Sequence, residues 1–270
     1  MQNVNPPTFL LIDKPVGPTS HDIVDKVRRA TGERRVGHAG TLDPFASGLL
    51  IIGVGRESTR ELGTFLGMDK EYEATFVLGA SSDTDDLTGK ITPMPFPIPI
   101  PPSPGGGSQG GGFEEKIKTA MKKFIGEIEQ IPPAYSAIKI KGKKMYEAAR
   151  EGKPLEAKAR AVKIYGYDLI PFESDSSVPF VGARHLSPIA SEAKGDGAPQ
   201  RTDESNEFET LELRVRIRCS SGTYIRALAR DLGRALGTGG YVSELRRTKI
   251  GEYKIEDAVP PPQKSVSPTL

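Results

Sequence analysis

The sequence predicts an α+β fold: a central mixed or antiparallel sheet flanked by helices. Three observations carry that expectation. Strand-like and helix-like patterns are interspersed irregularly, with no repeating βα unit. The longest alternating stretch sets Leu211, Leu213, Val215, Ile217 and Cys219 against Glu212, Arg214, Arg216 and Arg218, the pattern of a strand with one buried face. The chain of 270 residues is long enough to bury a sizeable core, as one large domain or two small ones.

Taken in order, residues 9–13 read as a short apolar strand. Thr19 or Ser20 can cap a helix whose apolar positions Ile23, Val24 and Val27 share one side, and Gly32 can end it. Residues 49–54 read as a buried strand. Residues 71–79 alternate Tyr72, Ala74, Phe76 and Leu78 with polar neighbours, which predicts a half-buried strand. Phe113, Ile117, Met121, Phe124 and Ile125 recur at helical spacing. The strand through Cys219 feeds Ser-Ser-Gly-Thr-Tyr and then a helix with Ile225, Leu228, Ala229, Leu232 and Leu236 inward. No internal repeat is visible. Residues 92–112 run from alternating prolines into glycines, and residues 173–208 are rich in Ser, Asp, Glu, Gly and Ala. Both read as mobile insertions that carry no chemistry in a catalytic domain spanning 1–257, and the proline-rich stretch 258–270 reads as a disordered tail.

Composition narrows the class. The hydrophobic fraction of 36%, with 30 Gly and 23 Pro, implies long irregular stretches. A lone cysteine, Cys219, excludes an intrachain disulfide framework and a cysteine-built zinc site and fits a reducing cytosol. The start of the chain lacks the basic residues and long apolar run of a signal peptide, and no apolar stretch approaches membrane-spanning length, so a soluble cytoplasmic protein is expected. Net charge is +2, but residues 173–209 hold three basic and eight acidic residues; setting them aside leaves 34 basic against 27 acidic. A basic body with an acidic insertion suits a polyanionic partner, and equally ordinary surface scatter.

The segment richest in possible chemistry is 37–48, Gly-His-Ala-Gly-Thr-Leu-Asp-Pro-Phe-Ala-Ser-Gly. Its glycines and its Asp43-Pro44 step demand a tightly bent loop between helix and strand. No Gly-Lys-Ser/Thr follows, so it is not a phosphate-cradling loop. Asp43 can simply initiate a turn; a functional role needs a partner. Arg226, in the first turn of the helix after the best strand, is one. A cation there sits at the wrong end of the helix dipole, and a buried carboxylate facing it would remove that objection. The pair would hold the aspartate ionised, since an opposite charge within a few ångströms lowers a carboxylate pKa by about 1–3 units, and an ionised carboxylate can act as nucleophile or base without a cofactor. Asp43 and Arg226 are therefore expected to meet in a cleft. Tyr72 and Tyr224 can each stack on a base or fill the core. His38, between Gly37 and Ala39 in a polar loop, reads as exposed and open to a ligand. No grouping has metal-ligand spacing, so neither metal nor other cofactor is expected.

Read together and in order, these segments resemble the TruB family of pseudouridine synthases, which modify the T-loop uridine at tRNA position 55. The match runs through LLIDKPVGPTSHDIV, VGHAGTLDPFASGLL, KEYEATFVLGASSDTDDLTG, IEQIPPAYSAIKIKGKKMYEAAREG and CSSGTYIRALARDLGRALGTGGYVSELRRTKIG. It covers most of residues 9–257 apart from the two insertions. The resemblance implies the pseudouridine-synthase fold with an RNA-gripping thumb segment. It implies Asp43 as the catalytic nucleophile, Arg226 as its ion-pair partner, and Tyr72 packed against the target base. His38 would fill the space left by the flipped nucleotide. Tyr224 and Leu245 would contact the uridine, and Lys14 and Pro15 would support the loop from beneath. Lys139, Lys141, Lys143 and Lys144 in the thumb would contact phosphates. The partner implied is the T-arm of tRNA, with the protein a monomer. Bacterial members continue into a small C-terminal RNA-binding domain of the PUA type; here the sequence stops soon after Asp257, which bears on the grip on the acceptor stem and not on the chemistry. Two other readings stay open: a synthase acting on another RNA stem-loop, and a protein that helps tRNA fold without chemistry.

Overall fold

A computed structural model describes residues 8–94, 111–136, 138–140, 142–152, 155, 157–171, 183–186 and 210–263. Along them run β1 (Thr8–Lys14), α1 (Ser20–Thr31), β2 (Val36–Ala39), β3 (Ser47–Val54), α2 (Gly55–Leu66), β4 (Lys70–Leu78), β5 (Ala80–Ser82) and β6 (Ile91–Pro93). Then come α3 (Gly111–Lys122), β7 (Gly126–Gln130), β8 (Lys139–Ile140), β9 (Lys143–Lys144), α4 (Met145–Arg150), β10 (Arg160–Leu169) and β11 (Ala183–Leu186). The chain closes with β12 (Thr210–Cys219), α5 (Ile225–Leu236), β13 (Gly240–Ile250), β14 (Tyr253–Lys254) and a 3-10 turn at Ile255–Asp257.

Alternating apolar positions draw ten strands into one sheet, ordered β1-β3-β13-β4-β12-β10-β7, with β2, β11 and β14 paired at its margins. All pairings are antiparallel except β3 with β13, whose parallel step joins Ser47 to Arg246 and Gly48 to Arg247. The sheet is therefore mixed, and the fold is the α+β architecture expected from the sequence. On one face Phe76 and Leu78 of β4 meet Leu211, Leu213 and Val215 of β12, and α5 lays Leu228, Ala229 and Leu232 over them. Fully burying one such leucine contributes about 1.5–3 kcal/mol. A second cluster seats α1 through Ile23, Val24 and Val27 against Leu50 and Ile52, and a third gathers Leu49, Ile51, Leu62 and Phe65 beneath α2.

Helix α1 starts and stops as its sequence dictates. The Thr19 hydroxyl accepts the Asp22 N–H, Asp22 accepts the Thr19 N–H, and Gly32 closes the helix in the left-handed region.

Several sequence expectations need correction. The segment 37–48 is not all loop: Val36–Ala39 pairs with Ile51–Val54, so His38 sits on a strand whose polar backbone is satisfied by β3. Residues 55–66, to which the sequence reading assigned no element, form α2 and bury Leu62 and Phe65. Within the second insertion, Ala183–Leu186 pairs with Thr210–Leu213; β10 covers only Val215–Cys219 of that edge, leaving open N–H and C=O groups for β11 to take. The first insertion begins in strand, with Ile91–Pro93 on Ala80–Ser82, and ends in α3; residues 95–110 lie outside the described residues. The tail expected to be disordered begins ordered: the Asp13 N–H donates to the Val259 carbonyl and the Val259 N–H to the Leu11 carbonyl, both at 2.9 Å. Residues 264–270 lie outside the described residues.

Gly48 has φ +105°, and a Cβ there would collide with the Arg247 backbone. This glycine is what lets β13 lie alongside the exit of the 40–46 loop. We expect Gly48→Ala to lose roughly 2–5 kcal/mol of stability in urea unfolding.

Candidate active site

The loop between β2 and β3 is held from three sides before any ligand is considered. From below, the Lys14 ammonium, completely buried, donates to the carbonyls of Pro15 (2.9 Å) and Pro18 (2.8 Å), and the Gly17 N–H donates to the Pro44 carbonyl at 2.8 Å. From the side, the Ser20 hydroxyl at the start of α1 donates to the Leu42 carbonyl (3.1 Å) and accepts its N–H (2.9 Å). From β13, the buried Arg247 donates through Nε to the Leu49 carbonyl (2.8 Å) and through Nη2 to the Gly40 carbonyl (3.0 Å). The Asp43 carbonyl completes the turn by accepting the Ala46 N–H at 3.1 Å. The main chain of Asp43 thus makes the turn, and its side chain is left over.

That side chain turns to Arg226: Oδ2 stands 3.1 Å from Nη2. The guanidinium, 5% exposed, has three further acceptors: Asp86 Oδ2 and the Thr84 carbonyl through Nη1, and the Tyr135 carbonyl through Nη2, each at 3.0 Å. One buried cation is shared by two carboxylates. Asp86, itself buried, is fixed through Oδ1 by the Thr84 hydroxyl (2.8 Å) and the Thr88 N–H (2.9 Å). Asp85 beside it takes a positive φ of 60° and accepts Arg230 at 2.8 Å. The acidic turn is therefore a rigid counter-charge for α5. Sequence reasoning gave it no role; the signal available was the Asp85-Asp86 pair in the turn after β5, within the segment that carries Tyr72.

The expected lowering of the Asp43 pKa is reversed. Burial of the carboxylate is the largest influence and raises it, Asp86 raises it further, and Arg226 and Lys14 only oppose the rise. The sequence argument gave Arg226 wholly to Asp43, whereas three of its four acceptors, Asp86 and the Thr84 and Tyr135 carbonyls, lie elsewhere. Fractional exposure of the Asp43 side chain is 39%, so water still reaches it.

The pair opens into a cleft of about 310 Å³ bordered by Asp43, Tyr72, Tyr224, Arg226, Leu245 and Arg247. The structure therefore brings together Asp43, Arg226, Tyr72, Tyr224 and Leu245. Burial raises the phenol pKa values of both Tyr72 and Tyr224, which keeps the rings neutral. A larger groove of about 460 Å³ between Val16, Phe45, Leu87 and Arg246 touches the cleft at Leu245, but the Asp43 carboxylate does not border it. His38 does not border the cleft either. It is half-buried on β2, edge-on to His21 with ring centroids 5.4 Å apart, and its Nδ1 is buried without a partner. Burial lowers its pKa to about 4. The backbones of Lys139 and of Lys143–Lys144 lie in the β8–β9 ribbon; their side chains, and all of Lys141, lie outside the described residues. Among the described residues no three His, Cys, Asp or Glu side chains group to hold a metal ion, and no helix is long and apolar enough to cross a membrane.

The chain is similar to known proteins along most of its length. Residues 28–181 match the model of the TruB family pseudouridylate synthase N-terminal domain, and residues 226–261 match that of the tRNA pseudouridylate synthase B C-terminal domain. The tRNA pseudouridine synthase B of Corynebacterium efficiens is 39% identical over 252 residues, covering 93% of this chain and 70% of the relative. That of Leifsonia xyli is 41% identical over 250 residues, covering 93% and 69%. Among solved structures, a Cbf5-Nop10-Gar1 complex matches with a TM-score of 0.55 at 28% identity, over 91% of this chain and 49% of the other. An H/ACA RNP bound to a substrate RNA containing 2'-deoxyuridine matches with a TM-score of 0.54 at 25% identity. The chain spans about half the length of these solved chains.

The raised pKa of Asp43 has a consequence for stability. A carboxyl that binds its proton more tightly when folded adds stability at pH below its ordinary value of 3.8, and that contribution is lost as pH rises through the folded value. We therefore expect Asp43→Asn to raise the melting temperature relative to the parent at pH 7, with the gain vanishing near pH 3.5; thermal unfolding at the two pH values checks this.

Proposed function

The chain belongs to the TruB family of pseudouridylate synthases, and on that premise we propose that it converts the uridine at position 55 in the tRNA T-loop into pseudouridine. The observation that carries the proposal is the Asp43–Arg226 pair, 3.1 Å apart in a cleft walled by two tyrosines and a leucine. The reaction breaks the N1–C1′ bond, turns the base and rejoins it through C5. One proton leaves C5 and one is gained at N1, so atoms balance with no oxidant, energy source or cofactor.

A uridine stacked in folded RNA must be extruded first, which costs a few kcal/mol. An aromatic surface returns about 1–3 kcal/mol per stacked base, the role we assign to Tyr72. Tyr224 and Leu245 bound the rest of the base. His38 fills the space the nucleotide vacates; with its pKa near 4 the ring is neutral at physiological pH, so stacking it among bases leaves no charge to desolvate. Asp43 acts on the sugar or base as nucleophile or base. A carboxylate held above its ordinary pKa is the more reactive in either capacity once ionised. Arg226 is anchored by Asp86 and so can hold Asp43 without following it. Lys139, Lys141, Lys143 and Lys144 contact phosphates in this scheme, which makes binding salt-dependent. We take residues 1–257 as the catalytic unit of a cytoplasmic monomer.

The test uses T-arm RNA tritiated at uridine C5. Wild-type protein should release tritium to solvent. Asp43→Asn should bind the same RNA within about threefold of wild type and release none. Turnover by Asp43→Asn would sink the assignment of Asp43. Release only from a different stem-loop would reassign the target, and tight binding without release by the wild type would leave a protein that folds tRNA without chemistry.

A further inference from the structure

The Gln130 carboxamide clamps the main chain of a residue far away in sequence. Its Nε2 donates to the Tyr224 carbonyl at 3.1 Å, and its Oε1 accepts the Tyr224 N–H at 2.8 Å. Gln130 ends β7 and is 2% exposed. A carboxamide has the donor and acceptor of a peptide group, so this is the two-bond exchange of a β-ladder made by a side chain.

Its position gives the clamp meaning. Tyr224 is the N-cap of α5, with extended backbone and no side-chain capping bond. Tyrosine is a poor capping residue, since its hydroxyl cannot fold back on the first turn. Helix α1, by contrast, is capped by its own Thr19 and Asp22. At α5 the position is given to a ring that borders the cleft, and Gln130 holds the main chain of that residue instead of capping the first turn. The Tyr224 carbonyl accepts both the Leu228 N–H at 3.2 Å and Gln130.

The same stretch, residues 130–136, meets α5 repeatedly. The Ile131 carbonyl accepts Arg230 at 2.9 Å, the Tyr135 carbonyl accepts Arg226 at 3.0 Å, and Ser136 borders the cleft beside Tyr224. Both side chains that α5 and its cap send toward Asp43 emerge from this seam. Gln130 itself does not border the cleft.

We infer that Gln130 is a positioning residue for the isomerisation: by fixing the main chain on both sides of the Tyr224 Cα it sets the placement of the Tyr224 ring and the Arg226 guanidinium against Asp43. This rests on the functional reading above, and it predicts an effect on the chemical step with RNA affinity spared. Gln130→Met keeps length and removes both bonds. Gln130→Glu keeps the acceptor for the Tyr224 N–H but sets a carboxylate against the Tyr224 carbonyl.

Tritium release should be followed in single turnover with T-arm RNA saturating, and normalised to RNA-binding stoichiometry so that only folded protein is counted. Both variants should slow the step by about tenfold or more, with Kd for RNA within about twofold of wild type. A variant that binds RNA at full stoichiometry and turns over at the wild-type rate, with only a lower melting temperature, overturns the inference. So does an equal loss of affinity and rate, and so does failure of both variants to fold, which would make Gln130 a residue of the fold alone. If one folds, that one decides. A wild-type protein that releases no tritium fails the functional reading itself, before any Gln130 variant is measured.

Discussion

Everything at the site depends on how a guanidinium is held in a place where it should not be stable. Arg226 stands in the first turn of α5, nearly stripped of water, at the helix end whose partial charge is already positive. An isolated charge moved into such a place would be severely destabilising. It is tolerated because Asp86 faces it at 3.0 Å and two main-chain carbonyls take further hydrogens. With those three acceptors in place the cation does not need Asp43 for its own stability. Asp43 needs the cation, and shares it. The result is a carboxylate that is paired yet remains more basic than its ordinary state, because burial outweighs the attraction. Partial satisfaction of one aspartate is what the full satisfaction of the other makes possible.

Such an arrangement works only if the loop bearing Asp43 cannot drift toward a better contact. Lys14, Ser20 and Arg247 each spend buried polar groups on main-chain atoms of the 15–18 and 40–49 segments. Lys14 shows the cost: burial drags its pKa down to about 8, even with Asp43 nearby to support its charge. Gly48 adds a geometric constraint, since only a residue without Cβ lets the parallel β3–β13 step pass beside Arg247. Loop and helix are thereby referred to the same sheet, the loop through β13 and α5 through its packing on β4 and β12.

What could be read from the sequence divides along physical lines. Strands β4 and β12 and helices α1 and α5 announce themselves because one face of each is apolar at a fixed period, and β1 and β3 because each is a short unbroken apolar run. Thr19 and Gly32 bounded α1 because capping is local chemistry. Asp43, Arg226, Tyr72, Tyr224 and Leu245 were legible as members of ordered motifs, and the structure gathers them in one cleft. What escaped depended on partners distant in sequence. The pKa direction of Asp43 turned first on its burial, and Asp86, which competes for the same cation, adds to the rise. The strand β2 around His38 exists because β3 offers it an edge, and β11 likewise exists because β10 leaves part of β12 uncovered. No window of neighbouring residues contains that information.

There is nevertheless a trace of the site in local rules that fail. A tyrosine occupies a capping position, an arginine stands at the wrong end of a helix dipole, Asp85 takes a left-handed backbone without being glycine, and Lys14 is buried in a segment of prolines. Each would weigh against the fold if judged alone. Each has a partner that holds it: Gln130 the Tyr224 main chain, Asp86 the Arg226 guanidinium, Arg230 the Asp85 carboxylate, and the Pro15 and Pro18 carbonyls with Asp43 the Lys14 ammonium. Sequences that fold well satisfy their rules at every level, so violations that persist and are individually repaired mark where another demand has prevailed. Here Tyr224, Arg226 and Lys14 lie around one loop and one helix start, and the side chain beside all three is Asp43.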